Sequence, residues 1–359
     1  MTSSHGRGRL HLAAALDRPS AYDAGSYVDA ARLAERAALD FVTLGDGFAR
    51  PGPDALAVLA RVAPATYRVG LVPTVTVTHT EPFHVQAAVA TLDWVGRGRA
   101  GWRIEVSTTE GEARLFGRRH AAPADALWQE AGEVADVAAR LWDSWEDDAE
   151  IRDVATGRFV DRDKLHYVDF TGPHFSVKGP SIVPRPPQGH PVRVVDATEG
   201  PARAVAARYA DVALVRTAHP AEAAAARAEL RAAAAAHGRD PDDLRVLAAL
   251  EVDLADGEYA ADPGHGGGGP RPTPRGPLYR GGPVDLAELI AAWHREGAVD
   301  GFHLTPAEPR RDLERLVNGT VPLLQHRGLF RTFYPGSTLR DHLGLTRPAN
   351  QYAVAGGTS

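Results

Sequence analysis

The chain has 359 residues, 44% of them apolar and 24% charged, with a formal net charge of −6 at pH 7 and no cysteine. This composition suits a globular protein with material for a large core; it excludes disulfides, thiolate nucleophiles and cysteine-held metals, and it offers no basic footprint for nucleic acid. No run of about 18 apolar residues is present to span a membrane, and the opening MTSSHGRGRL lacks an apolar signal core, so a cytoplasmic protein is expected.

Strand and helix patterns alternate along the whole sequence. LHLAAAL (10–16) reads as a first strand, and SYVDAARLAERAAL (26–39) as a helix with Ser26 as its candidate N-cap. DFVTLG is a second strand, followed by Asp46, and PDALAVLARVAPAT is the second helix. The most informative run is GLVPTVTVTHTEPFHVQAAVATLDWVGRGRAGWRIEVS (70–107). It reads as a β-branched strand, a helix with Pro82 near its start, and a second strand after a tight turn. That is a parallel βαβ unit, and the polar strand ends 74–79 and 103–108 fall at one carboxyl edge, where α/β folds bind ligands. A long helix over 123–145 follows. VRVVDA, ADVALVR, LRVLAALEVDL and VDGFHLTP supply strands five to eight, with an alanine-rich helix over 220–237 stopped by Gly238 and a last helix over 312–328. Eight strands alternating with helices predict an α/β fold of the (β/α)8 class, one domain over 1–359.

Three segments exceed a minimal barrel. Residues 147–191 form an insertion after the fourth repeat, rich in charge, Pro and Gly. Residues 256–283, containing GHGGGGPRPTPRGPLYRGGP, follow strand seven; their composition predicts a long flexible loop, either a lid or a tolerated surface expansion. Residues 328–359 are a C-terminal extension.

Several strings carry a resemblance. YVDAARLAERAALDFVTLGD, TEPFHVQAAVATLDWVGRGRAGW, LWDSWEDDA, GRFVDRDKLHYVDFTGPHFSVKGP, PRPPQGHPV and TLRDHLGLTRPAN resemble the luciferase-like flavin-dependent monooxygenases, in their nitrilotriacetate, EDTA and dibenzothiophene-sulfone branch. The resemblance implies a TIM barrel holding FMN at the carboxyl ends of its strands. It further implies a partner flavin reductase that supplies the reduced cofactor, and O2-dependent oxidation of a small organic substrate. Homodimers or homotetramers are implied too, joined through the helices after strands two and three. Deazaflavin is the alternative cofactor. A flavin-free relative, acting as a non-catalytic subunit or binding protein, is the alternative function.

Residue by residue, Asp46 stands at the family's carboxylate near the flavin, although a turn or helix cap would also explain it. Thr76 and Thr78 stand at hydroxyl positions beside the ring, although plain β-propensity would also place threonine there. Ser107 matches the family's serine after strand four. Other positions depart. Arg103 replaces an asparagine, and could bind an anion, pair with Glu105 on the same strand face, or reach outward. Leu127-Trp128 replaces Arg-Tyr, which puts Trp128 at the tyrosine's place near the phosphate. Thr198 and Glu199 fall in the segment that holds the phosphate, where Thr198 can donate one hydrogen bond and Glu199 adds a like charge.

Two histidines are candidate catalysts. His79 ends a strand at the expected mouth and His303 lies on strand eight, and either imidazole could serve as acid, base or substrate clamp. The chain has 15 histidines, however, and most are ordinary surface or core residues. No HxH, HExxH or carboxylate cluster at metal spacing is present, so no metal site is expected. In LWDSWEDDA, Leu141, Trp142 and Trp145 are at helical spacing and are expected to pack the insertion onto the barrel.

Overall fold

The computed structural model describes residues 9–17, 22–198, 200–254, 257 and 269–353. Eight parallel strands form the expected closed barrel: β1 (His11–Ala15), β2 (Phe41–Leu44), β3 (Gly70–Thr76), β4 (Gly101–Glu105), β5 (Val192–Asp196), β6 (Val212–Val215), β7 (Arg245–Leu254) and β8 (Gly301–Pro306). Each strand pairs with the next in the chain, and β8 returns to β1 with Gly301 opposite His11. Outside it lie α1 (Ala24–Arg36), α2 (Ala55–Val62), α3 (Pro82–Val95), α4 (Glu110–Phe116), α5 (Ala124–Asp143), α6 (Gly200–Tyr209), α7 (Pro220–Ala236), α8 (Pro283–Glu296) and α9 (Pro309–Arg315). A π-turn links α9 to α10 (Val321–His326). Among the described residues no helix is long and apolar enough to cross a membrane.

Local chemistry sets the helix ends. Asp23, not Ser26, caps α1: its carboxylate accepts from the Gly25 and Ser26 amides at 3.1 and 3.0 Å, so the helix starts two residues earlier than expected. Pro82 occupies the first turn of α3. The α8 helix was not legible in the sequence, yet it too opens on a proline, and Gly297 in a left-handed conformation closes it.

A two-residue period runs up every strand and divides the molecule. Trp102 and Ile104 of β4 point outward, fully buried beneath the helices. The alternate positions share the barrel interior. At the amino ends these are Ala13, Phe41, Val72, Val194, Val212 and Leu247, one apolar cluster. Two residues further along the same faces stand Thr43, Thr74, Asp196, Ala249 and, on β4 and β8, Arg103 and His303. Across β2, β3 and β5 the interior therefore changes from apolar to polar within one pleat repeat, while Ala15, Leu214 and Ala249 stay apolar.

The C-terminal extension seals the apolar end. Leu339 and Leu343 of α11 (Leu339–Leu343), with Leu345, join the interior cluster. The fit requires a glycine at 70, because a Cβ there would lie 2.6 Å from Leu339 Cδ1. Arginines fasten the strap: Arg331 to Asp40 at 2.8 Å, Arg340 to Asp211 at 3.2 Å, and Arg347 to Asp147. The insertion folds as two short antiparallel hairpins, and the indoles of Trp142 and Trp145 donate to the Gln86 and Ser181 carbonyls at 3.1 and 2.8 Å. Of the loop expected to be flexible, residues 256 and 258–268 lie outside the described residues. Its later part is ordered: Leu278–Gly281 adds a short parallel strand to the end of β7. Residues 354–359 of the extension also lie outside the described residues.

Burial raises the pKa of Asp211, but Arg340 and Arg193 outweigh it and hold the carboxyl at about 2, against 3.8 ordinarily. A depressed carboxyl stabilises the fold above its unfolded value and loses that contribution as pH falls through the folded one. Asp211→Asn should therefore cost about 3–5 kcal/mol in neutral urea denaturation, because Arg340 stays buried without its anion. The deficit should shrink as pH drops from 3.8 to about 2. Leu339→Ala should cost about 2–5 kcal/mol at any pH in that range, read from the same denaturation midpoints.

Candidate active site

The polar end of the interior opens into a cavity of about 620 Å³ at the carboxyl rim, a size typical of small-molecule sites. The strands supply Thr74, Thr76, Arg103, Glu105, Asp196, Glu251 and His303 to its wall, loops add Asp17, Asp46, Arg50 and Arg216, and the first turn of α4 adds Glu112.

Most of these charges are paired with one another. Arg103 Nη2 donates to Glu105 Oε2 at 3.0 Å, which selects the same-face pairing among the alternatives open to this arginine. Arg216 meets Asp196 at 2.7 Å, and Arg50 meets Asp17 at 2.9 Å. Two polar atoms in the wall are buried and unpaired: the Thr74 hydroxyl and Arg103 Nε. Buried polar groups are rarely left without partners, so orphaned atoms facing a cavity mark places where a ligand can bind.

His303 lies between these groups. It is 4% exposed, and Nε2 is 2.8 Å from the Thr43 hydroxyl. Burial first, then the positive fields of Arg103 and Arg216, lower its pKa to about 3. The ring is therefore neutral at physiological pH. It is a weak base and a good hydrogen-bonding group, with Nε2 fixed by Thr43.

Other candidates lie elsewhere. Asp46 lines the cavity, yet its two oxygens accept from the Gly47 and Ala55 amides at 2.7 and 2.9 Å, so it also organises the turn into α2. Thr76 lines the wall. Thr78 does not; its hydroxyl accepts from the Ser107 amide at 3.1 Å and joins the β3 and β4 exit loops. Ser107 in turn donates to Glu112 at 3.0 Å, steadying a carboxylate that does reach the cavity. Thr198 donates to Asp196 at 2.6 Å and accepts from the Arg216 amide at 3.1 Å, so its hydroxyl is engaged within its own loop. Glu199 lies outside the described residues. Trp128 is not at the mouth but borders a surface groove between α5 and α6, with Gly132, Val205 and Tyr209.

His79 sits behind the rim. Its backbone is left-handed, with φ of 68°, which is strained for a non-glycine residue. The ring stacks on Phe116 at 4.9 Å, is 8% exposed, and has no hydrogen bond at either nitrogen. Burial, then Arg119, hold its pKa below the usual histidine range.

Thr74, Glu112, Asp196, Arg216 and Glu251 were absent from the sequence-derived candidates. A signal existed for the strand residues. Thr76 and Arg103 were singled out by the family resemblance; a polar residue following an apolar β run would have pointed to Asp196 and Glu251 as well.

Comparison with known proteins extends this picture. The sequence profile described as luciferase-like monooxygenase matches residues 3–315. Nitrilotriacetate monooxygenase component A of Aminobacter aminovorans is 32% identical, over 93% of this chain and 92% of that protein. Dibenzothiophene-sulfone monooxygenase of Rhodococcus erythropolis is 30% identical, over 98% and 95% respectively. The structure of EDTA monooxygenase from Chelativorans sp. BNC1 superposes with a TM-score of 0.82, covering 94% of this chain and 99% of that one; at 22% identity it speaks for the fold. The sequence identities, held over nearly the whole length, go beyond a shared fold: this chain belongs to the luciferase-like monooxygenase family of flavin-dependent oxidoreductases.

Proposed function

We propose that the chain is the oxygenating component of a two-component system, using reduced FMN from a separate flavin reductase to oxidise a small organic substrate. The observation that carries this reading is the cavity at the barrel mouth, with the Thr74 hydroxyl and Arg103 Nε as buried, unpaired donors in its wall. These donors suit the carbonyl oxygens and ring nitrogens of a flavin.

A bound reduced flavin supplies oxygen activation, the step no side chain here can perform. The chain's own contribution is placement. Thr74 and Arg103 hold the ring, and the apolar layer of Val72, Val194 and Leu247 closes the floor to water. Neutral His303, oriented by Thr43, offers a hydrogen bond to a reacting oxygen without bringing a charge. The cytoplasmic location expected from the sequence and the dimer or tetramer implied by the resemblance remain part of this proposal. Trp94 and Val95, exposed at the end of α3, are surfaces on which copies could meet.

One observation favours the flavin-free alternative: three guanidinium–carboxylate pairs already occupy the mouth. Anaerobic fluorescence titration decides between the two. Reduced FMN should bind with a micromolar or lower Kd, and a reduced deazaflavin more weakly. Failure of the folded protein to bind either would leave the non-catalytic reading.

Thr74→Val separates binding from folding. It removes an unpaired hydroxyl, so urea stability should hold or rise, while reduced-flavin affinity should fall about fivefold, the worth of a hydrogen bond of about 1 kcal/mol. For His303, turnover should show no inflection from this residue between about pH 5 and 8, because its pKa lies far below that window. His303→Asn should keep a hydrogen bond and part of the activity. His303→Phe should lose it, as measured by steady-state oxygen consumption with the reductase.

A further inference from the structure

The charges at the mouth carry a consequence for which flavin the site accepts. Among the described residues, six carboxylates and four guanidiniums line the cavity, a formal −2. Three of the guanidiniums are bound to carboxylates of the same wall. The fourth, Arg275, is at the exposed outer rim and has no carboxylate partner among the described residues. The three remaining acids have no guanidinium partner. Asp46 and Glu112 are held by backbone amides and hydroxyls, and Glu251 stands on β7 with no ion pair.

Among the described residues, a ligand entering this wall meets no buried cation without a carboxylate partner. The turn after β5 is closed on itself, with Asp196 accepting from the Thr198 hydroxyl and from Arg216. A phosphate dianion placed there would have to break the Arg216 pair and face the carboxylate it released. What the cavity does offer is the unpaired Thr74 hydroxyl, the uncharged imidazole of His303, and the Nε of Arg103, whose charge is already met by Glu105.

We infer that this mouth holds a flavin by its ring and ribityl chain and leaves the phosphate ungripped, so that riboflavin binds as tightly as FMN. The inference rests on the flavin reading above and deepens it. The phosphate stays in solvent beyond the rim, where the net-negative wall repels it weakly.

The test is a fluorescence titration of the full chain with FMN and with riboflavin, each oxidised and anaerobically reduced. The two Kd values should agree within about threefold, less than the worth of one hydrogen bond. Ionic strength gives a second reading. Raising it from about 0.01 M to about 0.15 M should tighten FMN slightly, by screening repulsion, and leave riboflavin unchanged. Asp196→Asn, which keeps an oxygen for Thr198 and frees Arg216, should tighten FMN at least about fivefold with little effect on riboflavin. FMN binding about 30-fold or more tighter than riboflavin, weakened by salt and by Arg275→Ala, would overturn this inference alone. Absence of binding by both flavins would overturn the flavin reading and this inference together.

Discussion

A closed parallel sheet has a single interior, and every strand must share it at a two-residue period. That constraint decides where this protein can be polar. Val72 and Thr74, or Val194 and Asp196, lie on one face of one strand, separated by a single pleat repeat. The first of each pair helps build an apolar floor, and the second cannot be buried there without a partner or an opening. The polar layer therefore marks the open end of the barrel. The apolar layer must be capped from below, and α11 does so with Leu339 and Leu343.

Much of this was legible because period and composition agree. The β3 and β4 strands announced themselves through β-branched residues and a helix crossover. Their polar ends marked the carboxyl edge, the family resemblance singled out Thr76 and Arg103 within it, and the spacing of Arg103 and Glu105 allowed the pair observed at 3.0 Å. Loop residues were not legible. Asp17 and Arg50 reach the cavity only because tertiary packing folds their loops over it, and no local pattern encodes that approach. The Leu278–Gly281 strand was hidden in a Gly- and Pro-rich stretch, since its hydrogen bonds come from the end of β7 rather than from its own propensity. Trp128 shows a different limit. A position inferred within a helix fixes a residue's height but not its face, and this indole turns toward α6.

The threonines and histidines show why residue type alone is a weak guide to a site. Loops at strand ends must satisfy their own backbone before they can serve a ligand. Thr78 accepts from the Ser107 amide, and Thr198 closes the turn beyond β5. Asp46 has a foot in both roles, lining the wall while holding two amides. In the cavity wall the atoms with spare capacity are the Thr74 hydroxyl and Arg103 Nε, and burial keeps that capacity from being met by bulk water. The two histidines are separated by place and not by free capacity, since both nitrogens of His79 are unpaired. His303 lines the cavity with one nitrogen anchored, whereas His79 is packed face to face with Phe116 behind the rim.

The strap beneath the barrel also bears on how the molecule is made. Asp40 and Arg331 are 291 positions apart, and Gly70 receives Leu339 across a similar span. On a ribosome the first strands emerge long before the residues that cover their apolar base. Until the last turns of chain arrive, the nascent half-barrel exposes Phe41 and Val72 to any passing hydrophobic surface, so late completion of this seal is the natural point of chaperone dependence.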